Sequence, residues 1–246
     1  MRVFVLGMCL AGLAAPAHAL ECAVTSGPGT AALVELYTSE GCSSCPPADR
    51  WLSRLRNAGF GADRVVPLSL HVDYWDYIGW KDPFASPAFT ARQRELAAVS
   101  GAGFVYTPQV LLAGRDYRRW SSSGRFADDV RALNERPARA GIELAFSAGT
   151  VTARAAVTDA GQPAGAALVV AVFEHGLSNR VTAGENHGAT LTHDYVVREW
   201  FGPFALEGTK PIEISRRVGV TRPSGAAAFV QIRRTGEVLQ ATLCGG

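Results

Sequence analysis

The sequence predicts an α/β domain followed by an all-β, sandwich-like domain. Three observations lead there. Up to about Pro137, short apolar runs alternate with helical stripes; beyond Gly141, seven short runs follow one another without a helical period; and turn residues separate nearly all of them. The 246 residues, 48% hydrophobic and 19% charged, suffice for one large core or two modest ones.

The first segment is a leader rather than a fold element. Arg2, an apolar run over 3–15, Pro16 and the small-x-small sequence Ala17-His18-Ala19 read as a cleavable secretory signal over 1–19. The run is too short to span a bilayer, which needs roughly 20 residues. No membrane insertion is expected of the mature chain, and export to the periplasm is. The α/β domain then occupies 20–137 and the sandwich 138–246.

Within the α/β domain, Leu33, Val34, Leu36 and Tyr37 mark a buried strand over 31–38. Ala48, Leu52 and Leu55 form a helical stripe that Gly59 ends. Residues 65–73 make a second strand, followed by a loop carrying Tyr74, Trp75, Tyr77, Trp80 and Phe84. Ser86-Pro87 supplies an N-cap and a first-turn proline for a helix to about Val99, with Phe89 and Leu96 inward. Pro108 opens a strand to Leu112, Gly114-Arg115 turns it, and 117–120 pair back. Phe126, Val130 and Leu133 stripe a last helix, which Pro137 stops. The alternation argues for a right-handed first crossover and an antiparallel last pair. In the sandwich, the strands are 142–146, 150–158, 167–174, 195–200, 211–218, 227–233 and 238–243, with Thr235-Gly236 at the final hairpin tip.

Several function classes drop out. A net charge of +2 gives no field to hold nucleic acid. No G-x-x-x-x-G-K phosphate loop, H-E-x-x-H zinc motif or G-x-S-x-G elbow occurs. Cys9 leaves with the leader, and Cys22, Cys42, Cys45 and Cys244 remain. An even set in an exported chain implies disulfides: one in the C-x-x-C, the other between the mature termini, worth roughly 5 kcal/mol in the chain-entropy model.

Cys42-Ser43-Ser44-Cys45 falls between the first strand and first helix, where a helix N-terminus lowers a thiol pKa. Cys42 is assigned to attack and Cys45 to resolution. Pro46 and Pro47 cannot donate back into that turn; if the helix starts at Pro46, Cys45 sits nearer its N-terminus and the roles can reverse. The competing readings of the motif are an inert bridge and a metal site using Cys42, Cys45 and His71. Glu35, flanked by Val34 and Leu36, is either a buried proton relay or a solvent-facing strand residue. Thr107-Pro108 opens a strand beside the motif. His71 with Asp73 reads first as a hydrogen-bonded pair anchoring the aromatic loop. Tyr74, Trp75 and Trp80 are either a partner-binding ledge or satellite core. Glu185-Asn186-His187-Gly188, with His175 and His193, reads as solvated loop.

Residues 35–49 (ELYTSEGCSSCPPAD), 71–84 (HVDYWDYIGWKDPF) and 106–109 (YTPQ) resemble the domain of unknown function 1223 family, and more broadly the thioredoxin-like superfamily. The resemblance implies a thioredoxin-like fold for the first domain, Gram-negative export and a redox role. By similarity, Cys42 and Cys45 take the redox positions, Pro108 the cis-proline and Glu35 the buried strand carboxylate. The chain departs in having Gly41 where an aromatic residue precedes the first cysteine, and in Pro46-Pro47. The expectation is a periplasmic thiol–disulfide oxidoreductase acting on protein thiols and disulfides, with a membrane redox partner as recycler and no cofactor. The alternatives are a copper-handling chaperone and a non-catalytic binding module.

Overall fold

The computed structural model describes residues 21–158, 164–220 and 222–245; the expected leader and Cys9 lie outside them. The chain runs β1 (Cys22–Thr25), β2 (Ala32–Thr38), α1 (Pro46–Ser53), β3 (Val65–His71), a 3-10 turn (Asp76–Ile78), α2 (Pro87–Val99), β4 (Gln109–Leu112), β5 (Arg115–Asp116) and α3 (Ser123–Asn134). It continues β6 (Ala140–Ser147), β7 (Thr150–Val157), β8 (Ala166–Glu174), β9 (Leu177–Arg180), β10 (Thr190–His193), β11 (Val196–Ala205), β12 (Ile212–Arg217), β13 (Gly225–Ile232) and β14 (Val238–Gly245).

Local signals set the helices. At α2 the Ser86 hydroxyl accepts from the Ala88 N–H and Pro87 opens the first turn, with Phe89 and Leu96 buried. Helix α3 buries Phe126 and Val130 and ends before Pro137. Helix α1 starts at Pro46 and stops at Ser53, short of Gly59, because the chain beyond it closes tighter turns such as Leu55 N–H to the Leu52 carbonyl and Gly59 N–H to the Arg56 carbonyl.

The expected fold class is overturned. Strands take 42% of the described residues and helices 16%, so the molecule is mainly β and not an α/β thioredoxin-like domain followed by a separate sandwich. One eight-stranded sheet, ordered β14-β13-β8-β11-β3-β2-β4-β5, contains strands from both halves. Its seam is β11 on β3, a parallel contact in which Val196 stands opposite Ser69 and the Ser69 N–H donates to the Tyr195 carbonyl at 2.8 Å. Strands β1-β6-β7-β12 form a separate antiparallel sheet, and β9-β10 a small hairpin.

The physical reason lies in β8 and β13, buried along their whole lengths apart from Glu174 at the end of β8. Strand side chains alternate between faces. Val169, Ala171, Phe173, Ala227 and Phe229 enter the core shared with the helices. Leu168, Val170, Val172, Ala226, Ala228 and Val230 enter a second core against the four-stranded sheet. A strand apolar on both faces needs cover on both. Cys22 of β1 bonds to Cys244 of β14 across a separation of 222 residues, tying the two sheets together.

Candidate functional site

Cys42 and Cys45 are joined as a disulfide in the turn between β2 and α1. The Cys45 N–H donates to the Cys42 carbonyl at 3.1 Å, and Cys45 is the N-cap of α1. Its own carbonyl accepts from the Ala48 and Asp49 N–H groups, since the prolines at 46 and 47 have none to give. Both cysteines are fully buried, whereas Ser43 and Ser44 between them are exposed. The Ser44 hydroxyl lies 3.3 Å from Cys42 Sγ.

Gly41 makes room for the aromatic loop: a Cβ there would sit 3.1 Å from Trp75 Cβ and 3.2 Å from Ile78 Cδ1. Trp75 then donates its indole N–H to the Thr107 hydroxyl at 2.7 Å, linking the cysteine turn to the Thr107-Pro108 peptide, which is cis. Trp80 donates to Glu40 Oε2 at 2.9 Å, and Tyr74 and Trp75 pack against the main core. These rings are half-buried, and Tyr77, 82% exposed, is the ring that faces solvent in that loop.

Beneath the turn lies a cluster of buried ionisable groups that sequence reasoning did not assemble: Glu40, Asp49, His71, Asp82 and His193. Glu40 Oε1 accepts from Asn179 Nδ2 at 3.0 Å and lies 3.2 Å from His193 Nε2. His71 Nδ1 lies 2.7 Å from Asp82 Oδ2, which also accepts from the Glu40 N–H at 2.9 Å. His71 therefore pairs with Asp82 and not with Asp73, whose carboxylate takes the Thr90 hydroxyl. The two imidazoles meet edge to face, 4.8 Å between centroids, and His193 Nδ1 stands 3.8 Å from Asp49 Oδ2. Burial by itself would lower the His71 pKa, but the Asp82 carboxylate outweighs it and raises it; reciprocally Asp82, which burial would raise, is held below its ordinary value. Burial pushes Asp49 up against the pull of His193 and His71.

The expected solvated loop holds in part: Glu185, His187 and Gly188 are exposed in the β9-β10 connection, but His193 is buried in β10 and Glu185 and Asn186 are engaged with the cysteine turn. Hairpin β9-β10 brings His193 onto α1, and the connection between its strands lies against the cysteine turn. Glu185 Oε2 accepts from the Ser43 N–H at 2.9 Å, and Asn186 Nδ2 donates to the carbonyls of Glu40 (2.8 Å) and Cys42 (3.0 Å). Glu40 and Asp49 stood in the motif stretch as visible carboxylates, and Asp49 follows Cys45 by four residues on one helix face. Nothing in residues 175–193 signalled contact with residues 40–49.

Glu35 is buried, as one of its two readings had it, and is gripped by Arg92 at 2.6 and 3.0 Å, with the Tyr37 hydroxyl donating to it. Cys22 and Cys244 are bonded to each other. Among the described residues no three His, Cys, Asp or Glu side chains are grouped as metal ligands.

A family model described as a protein of unknown function, DUF1223, matches residues 33–231. No curated protein matches the chain. A structural-genomics crystal structure of a protein from Agrobacterium tumefaciens is similar at 28% identity and a TM-score of 0.70, covering 90% of this chain and 96% of that one. HBP35 of Porphyromonas gingivalis shares the fold at 13% identity and a TM-score of 0.66, covering 89% and 76% respectively.

Proposed function

We propose that this chain, which belongs to the DUF1223 family of proteins of unknown function, is an exported thiol–disulfide oxidoreductase that exchanges Cys42–Cys45 with cysteines of polypeptide partners. One observation carries the reading: the two cysteines are bonded to each other at the start of α1, over a buried cluster of groups able to hold protons. The remaining described cysteines are committed to the bridge between the sheets. Export through the leader at 1–19 to the periplasm belongs to the same proposal.

In the oxidising direction a partner thiolate attacks Cys42 Sγ, the Cys42–Cys45 bond breaks and Cys45 leaves as a thiolate. A second partner thiolate attacks the partner sulfur of the mixed disulfide, the partner disulfide forms and Cys42 leaves. Two electrons pass from the partner dithiol to the pair, and one proton goes to each of Cys42 and Cys45. The reducing direction reverses these steps. A buried thiolate is costly. Asp49, one turn along α1 from Cys45, is a carboxyl that burial biases toward its protonated form.

The test is the reduction potential of the pair in the mature protein, from equilibration in glutathione buffers with thiol mapping by mass spectrometry. A value near about −120 mV marks an oxidant, and one at or below about −200 mV a reductant or isomerase. Cys42→Ala is expected to abolish insulin reduction or disulfide formation with the fold intact. A pair that never exchanges overturns the proposal.

A further inference from the structure

Neither cysteine of the disulfide has exposed surface, so no thiolate reaches either sulfur in this conformation. A connection from the second half of the chain lies against the backbone of the turn that carries them. Residues 181–189 leave β9 and return to β10, closed at the base by Val181 N–H to the Ala189 carbonyl (2.9 Å) and Gly188 N–H to the Val181 carbonyl (2.8 Å). Gly184 and Gly188, at φ 74° and 84°, turn the corners in a region that side chains disfavour. Gly184 also packs against the aromatic loop: a Cβ there would lie 2.8 Å from Ile78 Cδ1.

At its tip the strap takes up backbone groups of the cysteine turn. The Asn186 amide gives its N–H groups to the Glu40 and Cys42 carbonyls, and the Glu185 carboxylate takes the Ser43 N–H. An amide donor on carbonyls and an oxygen acceptor on an N–H is what an extended polypeptide would offer when it pairs with an exposed backbone edge. Glu185 itself is exposed and held below the ordinary carboxylate range by that Ser43 N–H, so it stays an acceptor.

We propose that the strap at 181–189 is a built-in pseudo-substrate, occupying with Glu185 and Asn186 the backbone groups beside Cys42 that a cysteine-bearing, unfolded polypeptide must take over to reach the disulfide. This rests on the exchange reading above. The strap makes and breaks no covalent bond; it competes for N–H and C=O groups. Glu185 and Asn186 are specificity-determining residues, favouring partners that supply a free backbone strand over folded proteins that cannot.

The experiment compares the mature protein with Glu185→Gln, Asn186→Ala and the double variant. It measures the rate of disulfide reduction by dithiothreitol and the rate of oxidation of a reduced, unfolded polypeptide such as reduced ribonuclease A. Loss of the two Asn186 donors is expected to speed reduction by dithiothreitol about tenfold. The ratio of polypeptide rate to dithiothreitol rate should fall, because the small thiol gains most from an open strap. Glu185→Gln, nearly isosteric at an exposed site, keeps the test alive should Asn186→Ala fail to fold, and is expected to move both rates the same way by a smaller factor. Unchanged rates in variants whose disulfide still exchanges overturn the strap while leaving the exchange reading intact. A disulfide that resists excess dithiothreitol in every variant overturns the exchange reading and the strap with it.

Discussion

His71 and Asp82 are paired at 2.7 Å where neither side chain has more than 1% of its surface exposed. Removing one partner strands the other, so His71→Gln is expected to cost about 3–5 kcal/mol in urea unfolding. The pH dependence follows from the directions of the two shifts. His71, raised above its ordinary 6.5, contributes stability that is complete below that value and is lost as pH rises through its folded pKa. Asp82, lowered from 3.8, contributes stability present above that value and lost as pH falls through its folded pKa. The pair therefore stabilises most between about pH 4 and 6.5. Glu40, Asp49 and His193 face the same site. Unfolding from pH 5 to 9 should show a decline on the alkaline side that His71→Gln flattens, and an identical profile in the variant would refute the assignment. At this scale the sequence offered His71 and a nearby aspartate. It could not choose Asp82 over Asp73, because that choice depends on where the chain folds back over the eleven positions from His71 to Asp82.

Turns and strands join distant elements in ways that local pattern does not encode. Gly114 turns β4 into β5 with φ 78°, and a Cβ there would collide with the Gly236 carbonyl at the β13-β14 turn. Both the backbone angle and the contact exclude a side chain, so Gly114→Ala should destabilise by about 2 kcal/mol or more. Gly59→Ala is the control: it shares the left-handed angle, at φ 89°, without the contact, and its smaller loss isolates the turn-to-turn packing. Equal losses would mean that strain alone operates. The turn residues were legible in part: Thr235-Gly236 falls in the β13-β14 connection as expected, but Arg115 already belongs to β5, which pairs back at Arg115–Asp116 and not at 117–120 because the turn is Ala113-Gly114. Their meeting was not, since two hairpins more than a hundred residues apart carry no shared period. Strands β9 and β10 went unread for a related reason: of four residues each and with one apolar residue apiece, Leu177 and Leu191, they are too short and too polar to show an apolar period in the sequence.

In the whole molecule, the helices and strands of residues 31–137 occur in the predicted order after a strand, β1, that was not expected, but they do not close a core of their own. Ala171, Phe173, Ala227 and Phe229 from later strands complete the core that Leu33, Leu68 and Phe89 begin, and β11 covers the edge of β3. Residues 20–137 produced alone are expected to be unfolded or aggregated, judged by near-ultraviolet circular dichroism and proton–nitrogen correlation spectra. A dispersed spectrum from that fragment would show that the later strands are dispensable. The candidate site obeys the same logic, since Asn179, Glu185, Asn186 and His193 reach Glu40, Ser43 and Cys42 across some 140 residues of chain. By itself the sequence determined what is local: the cysteine motif at a strand-to-helix turn, the Ser86 cap, the helix stripes and most strands. Those follow from backbone sterics, capping and side-chain period, which act over a few residues. Only the tertiary structure decided that the two halves share one sheet, that Cys22 bonds to Cys244, that His71 belongs to Asp82, and that a connection from the second half hydrogen-bonds to the cysteine turn. Each of these is set by burying apolar faces and satisfying buried polar groups between segments distant in the chain, for which no window of sequence holds both partners.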